Sequence, residues 1–174
     1  MSEKEINKTS RILSVYHLFS NCDEVSYTEL FHIANVSKKT IRRDILTLED
    51  AGVLRAAYSA KRKAFIPVSF ERIPVTEENS VRRRYLLRLH RLCMLMDEFR
   101  ELWIISDSRN FYKNPSPKDW YSNIFPDVSD RTRQRDFKEI EKLGYRIYYE
   151  PSFSEAPGGY SYTFPGAFGI DTLD

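Results

Sequence analysis

Cysteine and histidine are scarce in this chain, which has two cysteines and three histidines among 174 residues. Cys22 and Cys93 form no CxxC pair, which excludes a disulfide scaffold and a zinc domain and suits a reducing, cytoplasmic compartment. The histidines, His17, His32 and His90, are too widely spaced to predict a metal site. We therefore expect neither a metal nor a disulfide.

Long apolar runs, a Gly-rich phosphate loop and a nucleophile motif are also missing from the sequence. No run approaches the ~20 apolar residues that a membrane helix needs, and the polar start MSEKEINKTS does not look like a signal peptide. We therefore expect no membrane association, no cofactor and no enzymatic activity. With 41% hydrophobic and 30% charged residues, the chain should form one large or two small globular domains.

Charge is unevenly distributed along the chain, although the net charge is only +2. Residues 1–70 contain 11 Lys and Arg against 8 Asp and Glu, whereas residues 116–174 contain 7 against 10. A polyanionic partner would therefore meet the N-terminal part first. Because differences of this size also occur by ordinary surface variation, the residue patterns must decide.

Two short helices with a tight turn between them are predicted after a first helix near residues 7–20. Ser26 and Glu29 form a capping box that begins the first of the two. Asn35, which tolerates the left-handed conformation, ends it, and Ser37 is the next N-cap. Helices joined by so short a turn cross steeply, as in a helix-turn-helix.

The second helix, over residues 37–52, has two chemically distinct faces. At about 100° per residue, Ile41, Ile45 and Leu48 form the inner face, and Asp44 lies beside them as a structural ion-pair partner. Cations occupy the outer face at the N-terminal end, where the helix dipole opposes them. Such cations suit phosphates and base edges, although a solvated basic face is the alternative. The predicted DNA contacts on this helix are Ser37, Lys38, Lys39, Thr40, Arg42 and Arg43.

A β-hairpin is predicted directly after Gly52, which ends the helix over residues 37–52. Short strands near residues 54–58 and 64–68 flank the polar run 59–63, whose basic tip is formed by Lys61, Arg62 and Lys63. A hairpin in this position is typical of the wing of a winged helix. A basic tip would lie along the phosphate backbone.

The segment VSKKTIRRDILTLEDAGVL resembles the recognition helix and first wing strand of DeoR-type winged helix-turn-helix regulators, and the N-terminal domains of WYL-domain regulators are similar. The residues that match are Val36, Ser37, Thr40, Arg43, Asp44, Ile45, Leu48 and Gly52. The resemblance covers about residues 7–70 and implies sequence-specific DNA binding by a bacterial-type transcription factor. The remaining chain is too short for the sugar-phosphate domain of the DeoR type and has no WYL triplet, so no effector pocket is implied.

A linker over residues 73–80 precedes a long amphipathic helix over residues 81–105. Its apolar stripe follows the spacing of a helix–helix seam, and the stripe consists of Tyr85, Leu89, Leu92, Met96, Phe99 and Trp103. Leu86, Leu87, Cys93 and Leu95 widen it. Packing in the chain's own core is the favoured interpretation, and a homodimer contact through part of this helix is the alternative.

The motif recurs 92 residues later. Seven of 19 positions are identical between residues 36–54 and 128–146, and a strand pair follows here too. Arg133 stands where Ile41 marks the buried face, so the helix is rotated, or Arg133 reaches solvent or a carboxylate, or this face meets a partner. The outer face carries Arg131, Gln134, Arg135 and Lys138. Glu150 and Glu155 replace the basic wing tip, which leaves either a second, weaker DNA contact or a dimerising or partner-binding unit.

The sequence thus predicts a mainly α-helical chain with small β-hairpin wings, in which tandem winged helix-turn-helix domains are joined by a long helix. The expected domains are 1–72, the linker 73–80, and 81–174. The leading hypothesis is a DNA-binding transcriptional regulator, acting as a repressor, that binds double-stranded DNA and forms a homodimer through the 81–105 helix or the second winged helix. The alternatives are a replication-initiation or mobile-element maintenance protein and a winged-helix protein–protein adaptor.

Overall fold

A computed structural model of the chain describes residues 7–105, 115–152 and 158–165. In chain order the helices and strands are α1 (Lys8–Asn21), β1 (Val25–Ser26), α2 (Tyr27–Ala34), α3 (Lys38–Asp50), β2 (Arg55–Ser59), β3 (Ala64–Ser69), α4 (Ser80–Ile105), α5 (Pro117–Ile124), α6 (Asp130–Glu141), β4 (Arg146–Glu150) and β5 (Gly159–Thr163). The described part is mainly helical and contains two small antiparallel sheets, β1-β3-β2 and β4-β5.

The chain divides into two compact units, residues 1–94 and 95–174, so the division falls inside α4. The sequence had instead suggested a linker at 73–80 and had assigned the whole helix to the second domain. Leu86, Leu89 and Leu92 explain the difference, because these residues of the first half of α4 are buried. The limits 1–72 and 81–174 stay a prediction.

The helix starts and ends of the first unit follow from their capping residues. Ser26 and Glu29 form a reciprocal capping box at the start of α2, and Asn35 ends this helix with φ of 46°. Ser37 Oγ then accepts a hydrogen bond from the backbone N–H of Thr40 at 3.3 Å. The predicted helix-turn-helix boundaries are therefore confirmed.

The core of the first unit joins α1 to the inner face of α3. Ile41, Ile45 and Leu48 are buried, as the helical spacing predicts. Asp44 is buried as well and forms a bidentate ion pair with Arg11 of α1, with Nε–Oδ2 and Nη2–Oδ1 distances of 2.7 and 3.1 Å. This contact confirms the expected structural role of Asp44.

The hairpin that follows α3 begins at a glycine that no other residue could replace without strain. Gly52 has φ of 67°, and a Cβ atom there would lie 1.9 Å from the carbonyl oxygen of Ile73. Strands β2 and β3 then pair within one residue of the predicted limits. The third strand, β1, was not predicted; Val25 pairs with Phe65 and ties the start of α2 to the hairpin.

Helix α4 begins at Ser80, where the Asn79 side chain accepts hydrogen bonds from the backbone N–H groups of residues 81 and 82. Four residues of its apolar stripe are at most 1% exposed, namely Leu89, Leu92, Met96 and Phe99. This burial confirms the interpretation of core packing. Leu87 is 42% exposed, so the prediction that it widens the stripe is wrong. The side chain of Trp103 lies outside the described part.

The second unit has an aromatic core around Phe99. Its ring centroid lies 5.4 to 6.3 Å from those of four other rings, Trp120, Phe137, Tyr145 and Tyr162. Ser116 and Ser129 cap α5 and α6, and β4 pairs with β5. Residues 153–157 between these strands, and with them the predicted Glu155, lie outside the described residues.

Candidate nucleic-acid interface

The N-terminal turns of α3 carry four exposed cationic side chains, Lys38, Lys39, Arg42 and Arg43. They lie where the spacing placed them, on the side away from the buried inner face. Ser37 and Thr40 are close together, with 3.1 Å between their hydroxyl oxygens, and Ser37 caps the helix by accepting a hydrogen bond from the backbone N–H of Thr40. The exposed backbone N–H groups of this helix end add to the attraction for an anion.

The acidic residues of α3 do not weaken this surface, because they lie away from it. Asp44 is buried against Arg11. Glu49 and Asp50 are at the C-terminal end of the helix, where they pair with Arg55 at 3.8 Å and with Arg82, respectively. The helix is therefore polarised along its length, with positive charge at the end that follows the turn.

Tyr27, the first residue of α2, organises two of the cations and was not predicted. Its hydroxyl oxygen accepts a hydrogen bond from Arg42 Nε at 2.6 Å. Its ring centroid lies 5.2 Å from Lys38 Nζ and 5.8 Å from the Arg42 guanidinium carbon, within cation–π range. No signal in the sequence marks this contact, because it depends on how α2 and α3 cross.

The hairpin tip presents Lys61, Arg62 and Lys63, all exposed. Lys63 adopts a left-handed conformation with φ of 55°, which closes the turn. Arg62 forms an ion pair with Glu24 at 3.1 Å, a partner that was not predicted. An ion pair this exposed contributes only about 0–1 kcal/mol and is screened by salt, so phosphate can displace Glu24.

An aromatic cluster connects the hairpin with the start of α2. The Tyr27 ring lies 5.6 Å from that of Tyr58 and 5.1 Å from that of Phe65, measured between centroids. Tyr58 and Phe65 face each other across the hairpin. The hairpin and the cationic face of α3 are thus held on the two sides of a single tyrosine ring.

The corresponding helix of the second unit, α6, exposes Arg131, Gln134, Arg135 and Lys138. Arg133 is only 15% exposed; its Nε lies 3.3 Å from Asp130 Oδ1, and its guanidinium lies 5.9 Å from the Phe137 ring centroid. Of the alternatives for Arg133, the carboxylate partner is therefore confirmed. Asp130 stands at the position of Lys38 and brings negative charge to this helix start.

A family model described as a DeoR-like helix-turn-helix domain matches residues 11–60. No curated protein and no solved structure is detectably similar to the chain. The match covers most of α1 and the whole of α2, α3 and the first hairpin strand, so the first unit carries a DeoR-type helix-turn-helix followed by a wing-like hairpin. Such a domain indicates DNA binding and transcription regulation, and the family is typically non-enzymatic.

Two further observations concern metal binding and membrane crossing. Within the described ranges, no cluster of three His, Cys, Asp or Glu side chains has the arrangement of a metal site. None of the helices described has both the length and the apolar character needed to cross a membrane.

Proposed function

We propose that the protein is a sequence-specific DNA-binding transcriptional regulator whose first unit reads double-stranded DNA. In this proposal α3, with residues 37–52, enters the major groove, and the hairpin tip at residues 59–63 follows the phosphate backbone. The observation that carries the proposal is the set of four exposed cations on the first two turns of α3, at the end that the helix dipole already makes positive.

The residues proposed to contact DNA divide into two groups by their role. Arg42 and Arg43 project from the second turn of α3, where arginine can donate two parallel hydrogen bonds to guanine O6 and N7. Ser37, Lys38, Lys39 and Thr40, together with Lys61, Arg62 and Lys63, make phosphate contacts that fix the register. Repression is the proposed mode, because it requires only that the operator be occupied.

The second unit is proposed to be a second winged helix, in tandem with the first. Its order of helix, helix and hairpin supports this, as does the repeated motif. Its main role is proposed to be dimerisation or partner binding, because Asp130 stands at the helix start and Arg133 is engaged internally. A second, weaker DNA contact through Arg131, Gln134, Arg135 and Lys138 is the competing possibility. We place the homodimer contact here, since the α4 stripe is already buried.

Selection of bound sequences from a random duplex pool tests the proposal. A palindromic result with half-sites about one helical turn, ~10 bp, apart would indicate a dimer with one reading unit per half-site. A long asymmetric site would indicate that both units of a chain contact DNA. Failure to enrich any sequence would contradict the proposed function.

A matched pair of double variants then assigns the reading helix. Arg42→Ala with Arg43→Ala should weaken binding to the selected duplex by roughly 100-fold or more, at ~1–3 kcal/mol per lost base contact. Gln134→Ala with Arg135→Ala alters the same positions of α6 and should change affinity less than fivefold, on the order of 1 kcal/mol. Equal losses in the two variants would mean that both helices contact DNA.

A further inference from the structure

Tyr27 holds Arg42, an exposed arginine of α3, in a defined geometry, although Tyr27 belongs to the preceding helix. Its hydroxyl is 2.6 Å from Arg42 Nε, and its ring lies beside both Arg42 and Lys38. The ring itself packs against Tyr58 and Phe65, which fixes its position. The contact thus connects a rigid aromatic cluster to a long, flexible side chain.

Which nitrogen of Arg42 donates to Tyr27 decides which hydrogen-bond donors of Arg42 remain for a base. A guanidinium has five N–H groups, and two of its nitrogens can form the parallel pair of hydrogen bonds to guanine. Tyr27 takes only the Nε–H of Arg42. Within the described part of the chain, the Nη groups of Arg42 form no hydrogen bond, so the outward pair of donors is left for a ligand.

We propose that Tyr27 is a positioning residue for sequence specificity, which holds the Arg42 guanidinium in its base-reading orientation before DNA binds. This rests on the proposed function of α3 as the recognition helix. An arginine that is already ordered does not lose its rotamer freedom on binding, a loss that otherwise weakens affinity by about two- to tenfold per side chain. The benefit applies only to the base pair that Arg42 reads.

The test is Tyr27→Phe, which keeps the ring and its packing but removes the oxygen that accepts from Arg42. Affinity for the selected duplex should fall about three- to tenfold. The loss should be confined to the base pair at which Arg42→Ala relaxes specificity, and affinity for non-specific duplex should not change. Tyr58→Phe is the matched control, because it removes a hydroxyl from the same cluster without touching Arg42, and it should leave discrimination intact.

A double-mutant cycle separates positioning from other roles. In the Arg42→Ala background, Tyr27→Phe should have no further effect, since the group that it positions is gone. An equal loss on every duplex would overturn the proposal and make Tyr27 a phosphate donor itself. Unchanged discrimination in Tyr27→Phe would also overturn it. If the wild-type chain selects no duplex at all, the proposed function fails instead, so the two failures are distinguishable.

Discussion

The two copies of the repeated motif, residues 36–52 and 128–144, share the residues that cap the helix and its buried aspartate, and they differ in the charge at the helix start. Each begins with a serine cap whose hydroxyl lies 3.1 Å from that of a threonine three residues later, Ser37 with Thr40 and Ser129 with Thr132. Each ends at a glycine with positive φ, Gly52 or Gly144. Most of the identical residues therefore account for where the helix starts and stops, and Arg43, with its counterpart Arg135, is the cation that both copies share on the outward face.

The shared aspartate shows that the same scaffold position accepts different partners. Asp44 is paired with the guanidinium of Arg11, whereas Asp136 accepts a hydrogen bond from the Tyr121 hydroxyl at 2.7 Å. Both carboxylates are 1% exposed. A buried carboxylate must be satisfied, and the partners include an arginine from α1 in the first unit and a tyrosine from α5 in the second, so the contacts diverge while the fold is kept.

The first turn and a half of the helix diverges in charge and polarity, at an exposed position and at a buried one. Lys38 becomes Asp130, and Ile41 becomes Arg133, which pairs with that aspartate. The second hairpin also exposes two tyrosines, Tyr148 and Tyr149, on its first strand β4. Aromatic side chains with exposed faces are more typical of protein contacts than of phosphate contacts. The comparison therefore favours DNA reading by the first unit alone.

The largest effect is expected when Ile41 of the first copy and Arg133 of the second are each replaced by the residue of the other copy. Ile41→Arg places a charge at a site that is 1% exposed and has no counterpart of Asp130, and it should destabilise the first unit by roughly 3–5 kcal/mol. Arg133→Ile should change stability by less than about 1 kcal/mol, because it removes only a partly exposed ion pair. Hydrogen exchange of the α3 and α6 amides measures each unit separately.

The outcome discriminates between two views of the repeat. A mild effect of Ile41→Arg would mean that the first unit also tolerates an internal cation, and the contrast between a packed copy and an adapted copy would be lost. A large effect of Arg133→Ile would mean that the Arg133–Asp130 pair specifies the fold of the second unit.

The sequence predicts those parts of the fold that depend on residues close together along the chain. Capping by Ser26, Asn35 and Ser37, the inner face of α3 and the first hairpin are encoded by short-range spacing and were predicted within about a residue. The Arg11–Asp44 pair was anticipated only as a partner for Asp44, because periodicity shows which side a residue faces but not which residue it meets.

The features that escaped prediction depend on distant segments meeting. Strand β1 is two residues long, and only its pairing with β3 defines it. Tyr27 carries no signal because its contact with Arg42 follows from the crossing of α2 and α3. A division inside α4 has no signal in the periodicity of the helix, for a similar reason. A continuous apolar stripe shows that a helix is buried, but not that two different cores bury it.

A second prediction sharpens the comparison of the hairpins. Lys61→Gln with Lys63→Gln removes two exposed charges and should weaken binding to all duplexes alike, by about tenfold at low salt. The slope of log affinity against log salt should fall by about 2, close to one unit per lost phosphate contact. Lys118→Gln with Lys142→Gln makes the same charge change in the second unit and should leave the slope unchanged. Equal effects would indicate that net charge, not the wing, drives binding.

The smallest expected effect concerns the capping box that positions α2 and therefore Tyr27. Glu29 Oε2 accepts hydrogen bonds from the backbone N–H and the hydroxyl of Ser26, both at 2.7 Å, and the backbone bond is the main cause that lowers the pKa of Glu29. Because the folded pKa lies below the unfolded value, the stabilisation is present above about pH 4.5 and is lost as the pH falls through the folded pKa. Since Glu29 is exposed, solvent screening limits the effect to about 0.5 kcal/mol.

Glu29→Gln removes the titrating group while keeping an oxygen that can accept a hydrogen bond. At pH 7 it should be slightly less stable than the wild type, and the difference should shrink as the pH falls through the folded pKa of Glu29 and the wild-type carboxyl becomes protonated. Urea unfolding at pH 7 and at a series of acidic pH values measures this. Glu78→Gln, which removes an equal charge outside any capping box, is the control. The same pH dependence in both variants would show that general charge repulsion, rather than the capping box, is responsible. The capping box at Ser26 would then not be what positions Tyr27 and, through Tyr27, Arg42.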